Sequence, residues 1–532
     1  MKKFLAVLLS LMVMVSLVGC KSGTDKSGTS DTGNDTSATV TEGAALDPAA
    51  KAIADRKESG KYPTVVMAFM NWAGAPAGME RIQGLISKYT EEKLGVSVQL
   101  EIIDYASYQQ GMTLMLSSGE QVDIFNAIAV GYTPSINKGY VLDLEENDLI
   151  STYGKGILDT ISPDYVNACR VGGKLYGLPQ QRDMAIGQGG FAIGAEYLDG
   201  IGFDYKSMYK EGDEIIYTDL NTISDIFGKL HEKYPNLYVY GPQEASLTQH
   251  NQYDMLGGDN YGVLLDPANS LKVEDLWGSD MFKNFCNTMF QWNKAGYISK
   301  DALTDDTAPT AQVKAGTLMA YATATKPGIR AQETGLCGRD MVVFQTGADF
   351  LKSSAVTAMP WCINSGSEDP VAAMQVLDAF YTDPVLSNLL CWGEEGKEYV
   401  KTDDGHITFA DGVDAQKSEY FNNVNWLMPN QFIADIWVGN DLDIWDRMAK
   451  FNNESVKSKA LGFSFDNSSV ATEYTALTNV YNEYGKPLLF GFTDPATGIP
   501  EMVQKLKSSG LDKYMEAKQA ALDEWASVNG VK

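Results

Sequence analysis

The chain has 532 residues, 69 Asp+Glu against 42 Lys+Arg, a formal charge of −27, and 44% hydrophobic and 11% aromatic residues. That composition is too apolar for a chain disordered throughout, and the length allows about three compact units at ~150 residues each. The acidic excess excludes nucleic acid as a partner, because phosphate backbones are held by clustered Lys and Arg.

Residues 1–20, MKKFLAVLLSLMVMVSLVGC, set two lysines before an apolar run. The run is shorter than the ~20 residues a membrane span needs, so it reads as a secretory signal. Its end, Leu17-Val18-Gly19-Cys20, resembles the lipobox of bacterial lipoproteins. The resemblance implies cleavage after residue 19, loss of Lys2 and Lys3, and acylation of the Cys20 thiol by palmitate-like chains; an ordinary signal with an incidental cysteine is the alternative. Residues 21–48 are built of Gly, Ser, Thr and Asp, which gives a flexible tether between anchor and body. The expectation is a signal peptide over 1–19, a lipidated Cys20 and tether over 20–48, and a body held at the extracellular face of a bacterial cell membrane, with order beginning between Asp47 and Tyr62. No later stretch is long and apolar enough to span a bilayer.

Within the body, a strand is predicted over 64–69, a helix over 79–93, a strand over 96–103, a helix over 107–116 and a strand over 123–129. This alternation predicts a parallel α/β sheet with right-handed crossovers, in which ligands sit at the carboxyl ends of the strands. Asn71 and Trp72 end the first strand, Asp104 to Tyr108 follow the second, and Asn126 and Tyr132 follow the third, so these are the positions that point at a cleft. A second α/β unit carries the glycine-rich Gly187-Gln188-Gly189-Gly190, a helix over 219–234 and strands over 237–241 and 316–321. Residues 355–364 read as a return into the first unit, followed by a helix over 370–380. Two lobes joined by repeated crossings make a hinged body with a groove between them.

Three stretches carry a family resemblance. They are VGGKLYGLP (171–179), NLLCWGEEGKEYV (388–400), and the region 461–525 containing LGFSFD, FGFTDP, EMVQKLKSSGLDKY and AALDEW. In that order they resemble the extracellular solute-binding proteins of ABC importers, family 1, and within it the large lipoproteins of the LplA/LipO kind with an added C-terminal domain. Trp392 and Glu394 depart from the Tyr and Ile more often found there. The resemblance implies a two-lobed, periplasmic-binding-protein-like type II α/β fold with a hinged cleft and a C-terminal helical extension. Lobe 1 would comprise 49–180 and 355–435, lobe 2 would comprise 181–354, and 436–532 would pack on lobe 2. It also implies a monomer that delivers its ligand to ABC permease subunits.

A sugar offers a flat apolar face and a rim of hydroxyls, so a site for it needs aromatic platforms and planar polar groups. Trp72, Tyr108, Tyr132, Tyr321, Trp361, Trp392 and Trp426 are the candidate platforms, and Asn71, Asn126, Gln180, Gln181, Arg182 and Asp183 the candidate hydrogen-bonding groups. Arg182 and Asp183 have a second reading, an ion pair bracing the hinge. The expected ligand is an oligosaccharide captured by lobe closure, with no catalytic residues and no cofactor. The alternatives are a peptide, a uronate sugar bound through arginines such as Arg182, Arg330 or Arg339, or a surface glycoside hydrolase using two carboxylates.

Cys169, Cys286, Cys337, Cys362 and Cys391 are odd in number and widely spaced, which reads as buried thiols with one incidental bridge possible. His231, His250 and His406 lack zinc-site spacing, and the acidic loop 403–412 lacks the order of a calcium loop. No metal is expected.

Overall fold

The computed structural model describes residues 47–532, apart from Ala73, Glu211 and 421–423. The signal peptide, Cys20 and the tether as far as residue 46 lie outside the described residues. Helix α1 (Pro48–Ser59) opens the body. The Asp47 carboxylate accepts from the amides of Ala49 and Ala50 at 2.9 and 3.0 Å, and Pro48 sits in the first turn, where its missing N–H leaves nothing unsatisfied.

Strand β1 (Thr64–Asn71), helix α2 (Met79–Leu94), strand β2 (Ser97–Asp104), helix α3 (Tyr105–Ser118) and strand β3 (Ile124–Asn126) follow in alternation. β1 runs parallel to β2 and to β3. All of β1 beyond Thr64 is buried, the pattern of a central strand covered on both faces. The motif at 171–179 begins in a small hairpin, Arg170 and Val171 pairing with Leu175 and Lys174. Its two turn residues, Gly172 and Gly173, have φ of 61° and 78°, the left-handed geometry that a tight hairpin demands.

The second lobe is built from β4 (Ile186–Gly194), β5 (Ile215–Tyr217), α4 (Leu220–Lys233), β6 (Tyr238–Gly241), α5 (Asp280–Lys294), β7 (Leu318–Thr325), α6 (Ile329–Cys337), β8 (Met341–Gln345) and β9 (Asp349–Leu351). β4 is its centre, antiparallel to β7, β8 and β9, while β5 and β6 run parallel to β8 and β7. The glycine-rich run forms the first half of β4. Its register against β7 shifts between Gly187 and Gly190, and a side chain at Gly190 would strike the Thr323 carbonyl, so close strand approach requires glycine there.

The chain then returns to the first sheet. β10 (Trp361–Ile363) pairs antiparallel with β3, giving the order β10-β3-β1-β2, and α7 (Pro370–Thr382) and α8 (Pro384–Trp392) cover it. The motif at 388–400 closes this layer: Arg81 of α2 pairs with Glu394 at 2.6 Å and with the buried Glu398. After helix α9 (Ile444–Glu454), strand β11 (Val456–Lys457) joins β9 in the second sheet. Helices α10 (Ala471–Leu489), α11 (Pro495–Ser508) and α12 (Leu511–Asn529) complete the chain. Leu488, Met502, Leu511 and Tyr514 share one core with Phe227, Met289 and Trp292 of lobe 2.

The segment at 436–454 differs from the expectation that it leaves lobe 1. Trp445 of α9 stacks on Phe432 at 5.8 Å and donates its indole N–H to the Ala434 carbonyl at 2.8 Å, and Phe451 packs on the core of lobe 1. The chain passes into lobe 2 only after Glu454. Three crossings therefore join the lobes, at 181–185, 352–360 and 455. Asn452, buried beside the first and third, accepts from the amides of Met184 and Ala185 at 2.9 and 3.0 Å and donates to the Arg182 carbonyl at 2.6 Å.

The five cysteines of the body are buried free thiols, and burial pushes Cys286 and Cys391 up to about 12. Among the described residues no helix is long and apolar enough to cross a membrane.

Candidate functional site

The second crossing enters the first sheet at Trp361, directly opposite Asn126, so the carboxyl ends of β1, β2 and β3 are the edge turned toward lobe 2. Three aromatic rings gather on this edge. Trp72 follows the last residue of β1 and is 52% exposed. Its ring lies 5.0 Å from that of Tyr105, edge-on, and 6.2 Å from that of Trp426. The Asn71 side chain accepts from the Trp72 amide at 2.7 Å, fixing the turn that lifts the indole out of the sheet. Tyr105 is 42% exposed because α3 starts there: Asp104 ends β2 and caps the helix, accepting from Ala106 N at 2.9 Å.

Behind the platform two amides hold the second crossing. Asn126 donates to the Met359 carbonyl at 2.8 Å and Gln180 donates to the same oxygen. Arg182 follows, with its guanidinium donating to the Asp183 carbonyl and 3.8 Å from the Asp183 carboxylate. Lys326 of lobe 2 pairs with the other oxygen of Asp183. Burial pushes the Arg182 guanidinium below its usual range, with the Asp183 charge opposing, and lowers Lys352 of the second crossing likewise, Arg182 adding repulsion. Arg182, Asp183 and Lys326 thus form a chain of polar contacts at the first crossing.

The structure corrects several candidates. Tyr108 lies one turn into α3, which faces it inward, and it donates to the Asn126 carbonyl at 2.6 Å. Tyr132 buries its ring and donates to the Cys169 carbonyl at 2.5 Å. Trp361 packs inside lobe 1 against Phe69 and donates to the Leu427 carbonyl at 2.9 Å. Trp392 is turned to Trp437 and donates to the Asp435 carbonyl at 3.1 Å. Tyr321 sits mid-strand in β7 with its hydroxyl on the buried Glu333. None of these rings offers a free face. Gln181 points to the opposite side of the crossing from Gln180, bonding the Thr160 carbonyl at 2.6 Å, as alternation along extended chain dictates. Glu394 serves the Arg81 ion pair. Arg330 and Arg339 are committed to Asp340 and Glu196.

Within the 104–108 stretch that the sequence sets at the cleft, Tyr108 is the ring singled out, because the helix is expected over 107–116; the structure exposes Tyr105 instead. One further residue is missed by sequence reasoning. Tyr217, 50% exposed at the end of β5, stands in register with Gln345 on the edge where the first crossing enters β4. The strand Ile215-Ile216-Tyr217 is too short to announce itself by periodicity.

Residues 84–390 match the model described as Bacterial extracellular solute-binding protein. The chain belongs to this family. In this solute-binding protein, residues 459–527 also match a domain described only as of unknown function. A carbohydrate ABC transporter substrate-binding protein of Streptococcus pneumoniae is 25% identical over 476 residues, which covers 88% of this chain and 92% of the relative. The solved N-glycan transport solute-binding protein NgtS from Streptococcus pneumoniae superimposes with a TM-score of 0.75 at 24% identity, covering 87% of this chain and 99% of that one. Structures of NgtS in complex with Man1GlcNAc and with Man5GlcNAc give 0.64 and 0.60, again over 87% of this chain. The solute-binding protein thus has the two-lobed fold of these transport proteins, extended by the helical C-terminal region.

Proposed function

We propose that this chain is the lipid-anchored substrate-binding component of an ABC importer, a monomer of the LplA/LipO kind that captures a neutral oligosaccharide outside the cell. One observation carries the reading: Trp72, Tyr105 and Trp426 form an open aromatic platform on the cleft-facing edge of lobe 1, with Tyr217 exposed on the matching edge of lobe 2. Rings stack on the apolar faces of sugars, and two lobes contacting one ligand convert binding energy into closure. The closed form is then what the permease subunits read. The names of the Streptococcus relatives point to the same cargo. The commitment of Arg330 and Arg339 to surface ion pairs counts against a uronate.

Titration of intrinsic tryptophan fluorescence with Man1GlcNAc, Man5GlcNAc and linear gluco-oligosaccharides tests this. A saturable change with at least one sugar and none with peptides of similar size is expected; the reverse pattern rejects the carbohydrate reading. Anchoring through Cys20 is tested separately. The native chain should partition into the detergent phase and incorporate labelled palmitate, while Cys20→Ser should do neither and appear in the medium. Labelling of the Cys20→Ser chain would place the lipid elsewhere.

A further inference from the structure

The C-terminal region of unknown function walls a second polar hollow of about 310 Å³. Four parts of the chain meet there: Gly131 and the first helical turn after β3 at 132–134, the second crossing at Thr357 and Ala358, the lobe 2 turn Gly258-Asp259, and the C-terminal Ser464–Asn467 stretch with Tyr474. The hollow therefore continues the carboxyl edge of the first sheet past β3, at the opposite end from Trp72 and Tyr105, which stand at β1 and β2 in the order β10-β3-β1-β2.

Two features mark it as a built site. Thr357 is only 5% exposed, and its buried hydroxyl oxygen has no hydrogen-bond partner among the described residues, while the residue lines the hollow. A buried hydroxyl left unpaired is unfavourable unless something enters to satisfy it. The C-terminal helices also fix the opposite wall. Lys518 of α12, fully buried, donates to Asp259 at 3.0 Å and to the Gly262 carbonyl at 3.0 Å, and Tyr514 donates to Asp259 at 2.7 Å. The rings of Phe465 and Tyr514 flank the Lys518 ammonium at 5.5 and 5.4 Å. The turn bearing Gly258 and Asp259 is thereby held rigid by the appended domain, as a recognition surface requires.

The chemistry of the lining names the ligand class. Among the described residues that line the hollow there is no lysine, arginine or histidine; Thr133, Thr357, Ser464, Asn467, Asp466 and Asp259 are among them, the last with its carboxylate held by Lys518 and Tyr514. That set suits uncharged hydroxyl groups and repels anions. The volume lies at the bottom of the ~300–1,000 Å³ range of small-molecule sites, enough for one end of a chain. Resting on the oligosaccharide reading above, we infer that the C-terminal domain completes a distal subsite, in which Thr357, Asn467 and Tyr474 bind a neutral sugar unit beyond the Trp72 platform.

Calorimetric titration of the full mature chain with Man1GlcNAc and Man5GlcNAc tests this, using Thr357→Val and Asn467→Ala beside Trp72→Ala. Each distal variant should weaken Man5GlcNAc by about three- to tenfold, the effect of one lost hydrogen bond, and leave Man1GlcNAc unchanged. Trp72→Ala should weaken both sugars. Thermal melts confirm folding, and a variant that melts early is replaced by Tyr474→Phe with the same expectation. Distal variants that bind Man5GlcNAc like the native chain, or that lose both sugars equally, overturn the distal subsite while leaving the transport reading intact. A native chain that binds Man5GlcNAc no more tightly than Man1GlcNAc, or not at all, also overturns the distal subsite, and one that binds neither sugar nor any gluco-oligosaccharide overturns the transport reading itself.

Discussion

Replacing Trp72 by Ala is expected to weaken oligosaccharide binding by about thirty- to a hundredfold, or about 2–3 kcal/mol, the size of an aromatic hot spot at a binding surface. The argument rests on exposure. A tryptophan that leaves half its surface in water contributes little to the core, so the same substitution should change the unfolding free energy by no more than about 0.5 kcal/mol. Affinity and stability therefore separate at this position. Trp72→Phe keeps a flat ring and should retain most of the affinity. Isothermal titration alongside urea unfolding checks both halves. Binding within threefold of the native protein would remove Trp72 from the site, and a large loss of stability would make it a core residue.

The second large effect falls on the hinge. Asn452→Ala removes three hydrogen bonds from buried backbone: two acceptor contacts to the amides of Met184 and Ala185 and one donor contact to the Arg182 carbonyl. Water cannot readily reach the two orphaned N–H groups, since both residues are buried, and each carries a desolvation penalty of about 1–3 kcal/mol. A destabilisation of about 2–4 kcal/mol is expected, read as a lower urea midpoint at unchanged m-value. Tyr165 would keep its bond to the Asn452 backbone carbonyl at 3.1 Å, so α9 itself should stay in place. A change below 0.5 kcal/mol would mean that the crossing at 181–185 is held by its packing alone.

Both positions bear on how lobe closure works. Asn452 joins the first crossing to the helix that precedes the third, while Asn126 and Gln180 tie the second crossing to the carboxyl edge of lobe 1 through one carbonyl, that of Met359. α9 spans the boundary as well: Trp445 fastens it to lobe 1, and Arg447 reaches Glu214 of lobe 2 at 3.2 Å. These side chains hold the crossing backbone at defined points, where closure of the lobes would have to turn the chain.

Much of this architecture is determined by the sequence. Strand, helix and strand in alternation over 64–126 dictate a parallel sheet, because parallel strands need crossovers on its faces. The aspartates at 47, 104, 219, 369, 383 and 494 start helices by accepting from the following amides. From the strand order alone Trp72 and Asn71 fall at the edge where ligands sit. What the sequence does not contain is the direction of each aromatic ring. Tyr105 and Tyr108 lie on the same helix three residues apart, and a shift of two residues in the helix start decides which is sought at the cleft. Trp361, Trp392 and Tyr132 share the chemistry of Trp72, yet each has its N–H or O–H taken by a main-chain carbonyl, an outcome set by the elements that pack over them. Tyr217, exposed at the end of β5, and Thr357, brought beside residues more than a hundred positions away, depend wholly on tertiary contact. Local pattern determines where the chain turns; only the packing of distant segments decides which side chains are left facing water, and those are the ones a ligand can meet.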